Sequence, residues 1–150
     1  MADLLKPGLG TYIEVTATLP ADELLATYEA LTGFAEVGEL TEVPEFGPQF
    51  DTVTHVPLKT GTTAKYHGAK NNGSITLPMA LSPTDAGQVI LEAAMAAKTR
   101  ITFSVVYADG AIDFYQGKVM SFTRGASIGS VVTASVMVEI ETDIVSAAAP

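Results

Sequence analysis

The chain contains no cysteine and no tryptophan in its 150 residues. Without cysteine there is no disulfide, no thiolate nucleophile and no thiolate metal ligand, although the redox compartment stays open. Histidine is nearly as scarce, with only His55 and His67. They form neither an HxxxH nor an HExxH pair, so zinc has no frame. GxSxG is absent, and Thr60-Gly61-Thr62-Thr63-Ala64-Lys65 lacks the GxxxxGK[ST] order of a phosphate loop. Nothing singles out one pair of carboxylates for acid–base work. The expectation is a protein that is not an enzyme and takes no metal and no cofactor. No apolar run reaches the roughly 18–20 residues that cross a bilayer. The first ten residues carry Asp3 and are too short in apolar length for a signal peptide. No membrane insertion is expected, and synthesis belongs in a cytoplasm-like compartment.

Positive charge is missing from one long interval. Between Lys6 and Lys59 there is no Lys or Arg, while Glu14, Asp22, Glu23, Glu29, Glu36, Glu39, Glu42, Glu45 and Asp51 fall there. These nine acids equal the whole formal net charge of −9. Lys59, Lys65 and Lys70 then follow within one segment. Solubility alone accounts for an acidic surface. The sharper reading is an acidic surface that meets a basic loop on a neighbouring subunit, or one lining a passage that must not hold a polyanion. Basic residues interleaved with aromatics are absent, which argues against tight nucleic-acid binding.

The composition that remains, 47% apolar and 17% charged, is that of one globular domain over residues 1–150. Residues 1–9 and 143–150 read as flexible arms, with Leu4 and Leu5 placed to anchor on a neighbour. Alternation predicts strands over Thr11–Thr18, Gly73–Leu81, Arg100–Tyr107, Ile112–Phe122 and Val131–Glu141. Asp109-Gly110 marks a hairpin turn, and Gly117 a bulge. Phe34–Val43 reads as a strand, but the three-residue spacing of Glu36, Glu39 and Glu42 fits no regular period. Residues 19–33 suit either a short helix or a loop followed by a strand. Residues 44–72 show no clear regular structure yet hold Phe46, Phe50, Val53, Val56, Leu58 and Tyr66. That combination predicts a long interaction loop that orders on assembly.

One helix is clear from residue 83. Ser82 is the expected cap, Pro83 the first helical residue and Asp85 a capping-box acceptor. Ala86, Val89, Ile90, Ala93 and Ala97 share the stripe expected to face the sheet. Gln88, Leu91 and Met95 then fall on the far side, as a subunit contact. The fold class is mainly β, a β-sandwich or open barrel with one flanking α-helix.

The order of these pieces carries a resemblance. VGELTEVPEFGPQFDTVTHVPL (Val37–Leu58), TTAKYHGAKNNGSITLPM (Thr62–Met79), the D-x-G-Q helix SPTDAGQVILEAA (Ser82–Ala94) and the D-G hairpin ITFSVVYADGAIDFYQGKVMSF (Ile101–Phe122) follow one another. Over about residues 10–145 the chain resembles the tail tube (major tail) proteins of long-tailed, non-contractile, lambda-like bacteriophages. The resemblance implies a virion structural protein, assembled in the host cytoplasm, whose copies form hexameric rings that stack into a hollow tube. It implies partners in the tape measure protein, the tail initiator or distal tail protein and the tail terminator, with DNA as transient, non-specific cargo. Contractile tails share the fold, so fold alone does not separate the two. On these residues the subunit interface would use Leu91, Met95, Gln88, Phe46, Phe50, Lys59, Lys65 and Lys70. The lumen would be lined by Glu14, Glu139 and Glu141, with Thr102, Ser104, Thr133 and Ser135 as neutral neighbours. The alternative is a monomeric β-sandwich binding module, such as a virion decoration or receptor-binding domain. The lack of Trp, and aromatics confined to strands and the long loop, count against it.

Overall fold

The computed structural model describes residues 7–148; the expected Leu4–Leu5 anchor lies outside them. Eleven elements follow in chain order: β1 (Tyr12–Thr16), α1 (Leu25–Glu29), β2 (Ala35–Glu36), β3 (Gln49–His55), β4 (Ala64–Asn71), β5 (Ser74–Ala80), α2 (Ala86–Ala97), β6 (Arg100–Val106), β7 (Ile112–Gly125), β8 (Thr133–Ile140) and β9 (Val145–Ala147). The protein is mainly β, as expected. Seven strands form one sheet in the order β2-β1-β6-β7-β8-β5, with β9 also on β7. All its pairings are antiparallel.

One segment joins both edges of that sheet. Residues 35–37 pair with β1, where the Val37 amide donates to the Ile13 carbonyl at 2.8 Å. Glu39–Thr41 then bond to β5: the Thr41 amide donates to the Pro78 carbonyl and the Ala80 amide to the Glu39 carbonyl. The sheet therefore curls until a single bent segment spans its two outer strands. This is why Phe34–Val43 has no strand period. It pairs on one side, turns through Gly38 and the positive φ of Glu39 (62°), and pairs on the other. The misfit spacing of its acids marked that bend.

The curled sheet has an inner face of Ile13, Val15, Phe103, Val105, Leu77, Val136 and Val138, all buried. Their alternation is what made the strands legible. Its outer face divides in two. Over β1, β6 and the start of β7, residues 17–34 form a cover, with Tyr28 of α1 stacked on Phe114 at 5.2 Å between ring centroids. Residues 19–33 thus contain a short helix, the first of the two alternatives. Over the end of β7, β8 and β5 the outer face is open.

Helix α2 plugs the inner side. The buried residues are Gly87, Gln88, Leu91 and Ala94, with Met95 partly buried against the core. Ala86, Val89, Ala93 and Ala97 face outward. Of the stripe expected to face the sheet only Ile90 packs partly against the core; otherwise the faces are the reverse of the expectation, and Gln88, Leu91 and Met95 are removed as subunit contacts. Leu91 alone gains about 1.5–3 kcal/mol by burial, more than any alanine on the other stripe can. Gln88 is buried because its polar atoms are all matched. Its amide nitrogen donates to the Gly38 and Ala80 carbonyls at 3.0 Å each, and its side-chain oxygen accepts from the Ser82 amide at 2.9 Å. The cap is Asp85, not Ser82: its carboxylate accepts from the Gln88 amide at 3.1 Å and from the Gly38 amide at 3.0 Å. Gly87 lets the helix touch the closing segment, since a Cβ there would overlap the Glu36 carbonyl oxygen and lie 2.6 Å from the Val37 Cα. Asp-x-Gly-Gln is thus a clasp that fastens residues 36–38 to the helix and to the end of β5.

Three other expectations change. Residues 44–72 are not a structureless loop; they contain the two-stranded β3–β4 hairpin, paired from Gln49↔Asn71 to His55↔Ala64. Its side chains are exposed on both faces, so no apolar alternation was present to read. The bulge in β7 lies between Val119 and Ser121 rather than at Gly117. Gly117 is instead a close approach, 2.6 Å from its would-be Cβ to the Glu139 carbonyl oxygen. The C-terminal arm, as far as it is described, is held: β9 pairs with Ile112–Phe114.

Candidate assembly interface

The hairpin is the most exposed part of the fold. β3 and β4 touch little beyond each other, and their turn carries Val56 and Leu58 at 54% and 102% exposure. Phe50 is exposed and meets His67 edge-on at 5.0 Å. Tyr66 and Val53 are also half open to solvent. Lys59 and Lys65 stand at the turn and the start of β4, both exposed. No Asp or Glu occurs from residue 52 to residue 84, so the tip is basic as well as apolar. His55 and His67 sit on these strands, and among the described residues no group of three or more metal-ligating side chains comes together.

At the hairpin's root the charge reverses. A groove of about 1070 Å³ is lined by Leu40, Val43, Phe46, Pro48 and Ile144 together with Glu42, Glu45, Asp113 and Asp143. Phe46 is half-buried, with its ring 5.6 Å from Tyr115, so it forms the apolar floor instead of projecting. Lys70 does not point toward a neighbour: its Nζ is 2.7 Å from Asp143 Oδ1, tying the hairpin to the C-terminal segment. Asp113 accepts from the Tyr107 and Ser146 hydroxyls, both at 2.6 Å. Burial first, and the Asp113 bond and charge next, push the Tyr107 phenol well up from its ordinary value. The root is also where two backbones meet. Gly73, at φ +85°, is so placed that a Cβ would lie 2.7 Å from the Gly47 carbonyl oxygen.

The residues expected to line a lumen separate into two groups. Thr133, Ser135 and Glu139 lie on the open half of the outer face, alongside Thr76 and Thr123. Thr102 and Ser104 are buried beneath residues 17–34, with the Thr102 hydroxyl donating to the Thr18 carbonyl at 2.9 Å. They are removed as lining residues. Strand parity was right, but parity does not reveal what covers a face. Glu141 lies beside the open half and is ion-paired, 2.6 Å from Arg100 Nε and 3.3 Å from Lys118 Nζ. Burial works to raise its carboxyl, yet the bonds and charges of Arg100 and Lys118 outweigh it and hold the group below its ordinary value. Glu42 and Glu45 were legible as part of the acidic interval, whereas Asp113, Asp143 and the Arg100–Lys118 pair were not singled out, because their partners are distant in the chain.

Glu14 is half-buried and stands opposite Glu36 across β1–β2. Burial, and then the Glu36 carboxylate, push its carboxyl above the ordinary value. A raised acid pKa favours the protonated form in the fold. The stability it contributes is complete below the unfolded-state pKa and is lost as pH rises through the folded one. Glu14→Gln is therefore expected to raise the melting temperature more at about pH 7 than at about pH 4. Circular-dichroism melts at the two values check this; an equal shift at both would refute it.

The lambda phage tail tube protein family matches residues 31–144. The chain belongs to this family. It is a structural component of a phage tail, not an enzyme. The fold agrees. A subunit of the SPP1 tail tube superposes with a TM-score of 0.67 at 14% identity, over 93% of this chain and 78% of that one. A chain of the native gene transfer agent virion gives 0.71 at 13%, over 96% and 100%. A chain of the extended PVC sheath–tube complex, from an extracellular contractile injection system, gives 0.64 at 13%, over 97% and 93%. At these identities the likeness speaks for the fold. No curated sequence matches the chain.

Proposed function

We propose that this tail tube family member is the repeating subunit of a hollow tube in which six copies close a ring, rings stack, and DNA passes through the bore. One observation carries the reading: the apolar, basic hairpin tip and the apolar, acidic groove are complementary and belong to one chain that cannot join them. From Ala64 to Lys70 the strand rises about 20 Å, which holds the tip away from its own root. The occupant of the groove is therefore the hairpin of a second copy. A contact between two different patches on identical chains is heterologous, and it propagates instead of closing on a pair. Lys59 and Lys65, with Val56 and Leu58 at the tip, supply one side; Glu42, Glu45 and the Phe46 floor supply the other. The open outer half, with Thr133, Ser135 and Glu139, faces the bore. The tube's ends are completed by the initiator or distal tail protein and the terminator, and its interior by the tape measure protein during assembly. Before assembly the exposed hairpin keeps the monomer soluble through its lysines.

Negative-stain microscopy of the purified chain at high concentration tests the proposal. Rings or hollow tubes with sixfold end views are expected. A species that stays monomeric under all conditions, even with its tail initiator present, would overturn it and favour a monomeric binding module.

A further inference from the structure

The open outer half is not the acidic surface that a DNA passage suggests. Strand register aligns Arg100, Lys118, Glu139 and Ser74 in one row across β6, β7, β8 and β5. Of the eight Lys and Arg residues in the chain, Arg100 and Lys118 are those this face carries among the described residues. Lys59, Lys65 and Lys70 belong to the hairpin, Lys98 caps α2, and Arg124 pairs with Glu92 at 2.7 Å. Beyond the row, the open face presents hydroxyls at Thr76, Thr123, Thr133 and Ser135, and among the described residues Glu141 at its edge is the one further charge. Two cations and two acids, Glu139 and Glu141, leave it neutral.

We propose that Glu141 is the residue that keeps this face from gripping DNA, by holding both cations to itself. Its two oxygens take one cation each, Oε2 the Arg100 Nε and Oε1 the Lys118 Nζ. Arg100, Lys118 and Glu141 are all partly exposed, at 40%, 45% and 25% of their side-chain surface, so the cations are within reach of a polyanion if released. A phosphate that captured either would first have to displace a carboxylate already in contact. The cost of failure multiplies along a polymer, because every copy offers the same two cations and each phosphate engaged adds about 0.9 to the salt slope of binding. The inference rests on the open half facing the bore.

The test uses tubes assembled from the full chain and a short fluorescent duplex DNA, with retention measured by co-sedimentation against salt. Glu141→Gln tubes are expected to retain DNA at low salt at least about tenfold more than wild type, and to release it as salt rises. Adding Arg100→Gln and Lys118→Gln is expected to restore wild-type behaviour, which a merely structural role for Glu141 would not do. Thr123→Lys places an uncompensated cation on the same face without touching Glu141, and is expected to retain DNA too. If Thr123→Lys tubes retain DNA and Glu141→Gln tubes do not, the role of Glu141 is overturned while the bore assignment stands. If neither does, and a Ser135→Cys tube is labelled by a protein-sized thiol reagent as readily as by a small one, the bore assignment itself falls and the inference with it. The native absence of cysteine makes that label unique to one position.

Discussion

Gly87→Ala is expected to destabilise the subunit by about 3 kcal/mol, the upper part of the range for overpacking. For a domain of this size that corresponds to a fall in melting temperature of about 6–12 °C. The added methyl has no flexible side chain to push aside. It meets the backbone of Glu36 and Val37, and the next residue, Gly38, is held by Asp85 at its amide and by Gln88 at its carbonyl. Relief requires α2 to lift or the closing segment to swing out, and either exposes Leu91 and Val37. The neighbouring Ala86→Ser, on the solvent side, is expected to change the melting temperature by no more than about 2 °C. Calorimetry of the two monomers decides the matter; equal midpoints would mean that the helix-to-segment contact is not tight.

Lys59→Glu with Lys65→Glu is expected to leave the monomer's melting temperature unchanged and to abolish tubes at wild-type assembly concentrations. Both lysines are exposed, so the fold loses nothing when they change. In the assembled tube they would face Glu42 and Glu45, where like charges cost several kcal/mol. A penalty of about 3 kcal/mol per contact raises the critical concentration about a hundredfold. Glu42→Lys with Glu45→Lys should fail in the same way alone. Mixing the two should restore tubes in which the variants alternate, because each tip then meets a groove of opposite charge, and a single chain carrying all four changes should assemble on its own. Light scattering against concentration gives the readout, and a four-fold variant that stays monomeric would show that this groove is not where the hairpin goes.

What the sequence made plain and what it hid follow from one physical distinction. The strands β5 and β8 were legible because one face packs in the core and the other is more open, so apolar residues alternate; β6 alternates too, although both its faces are buried, because Thr102 and Ser104 lie on the covered outer side. The same alternation is absent from β3 and β4, where Phe50, Val53 and Tyr66 are exposed beside Lys65 and His67. The Thr and Val content of that segment was the usable signal, through strand propensity rather than burial. The α2 faces were misjudged because counting apolar positions set three alanines with Val89 and Ile90 against Leu91 and Met95, while volume and fit to the core decide burial. Gln88 compounded the error: a buried amide with every bond satisfied looks like a surface residue in a hydropathy pattern. The basic segment and its acidic counterpart were legible as charge, but their placement at the two ends of one hairpin was not. That placement depends on the turn of the chain at Gly47 and Gly73.

Those two glycines give the hairpin's root a mechanical character of its own. Neither side chain is there to brace the joint, and the Lys70–Asp143 ion pair, its side chains 38% and 61% exposed, resists pulling more than rotation. The curled sheet above it is fastened at both edges and at the helix. In the proposed tube such roots would join repeats that are each stiff, and the assembly would bend by sharing small rotations among many joints, with no strand pairing broken.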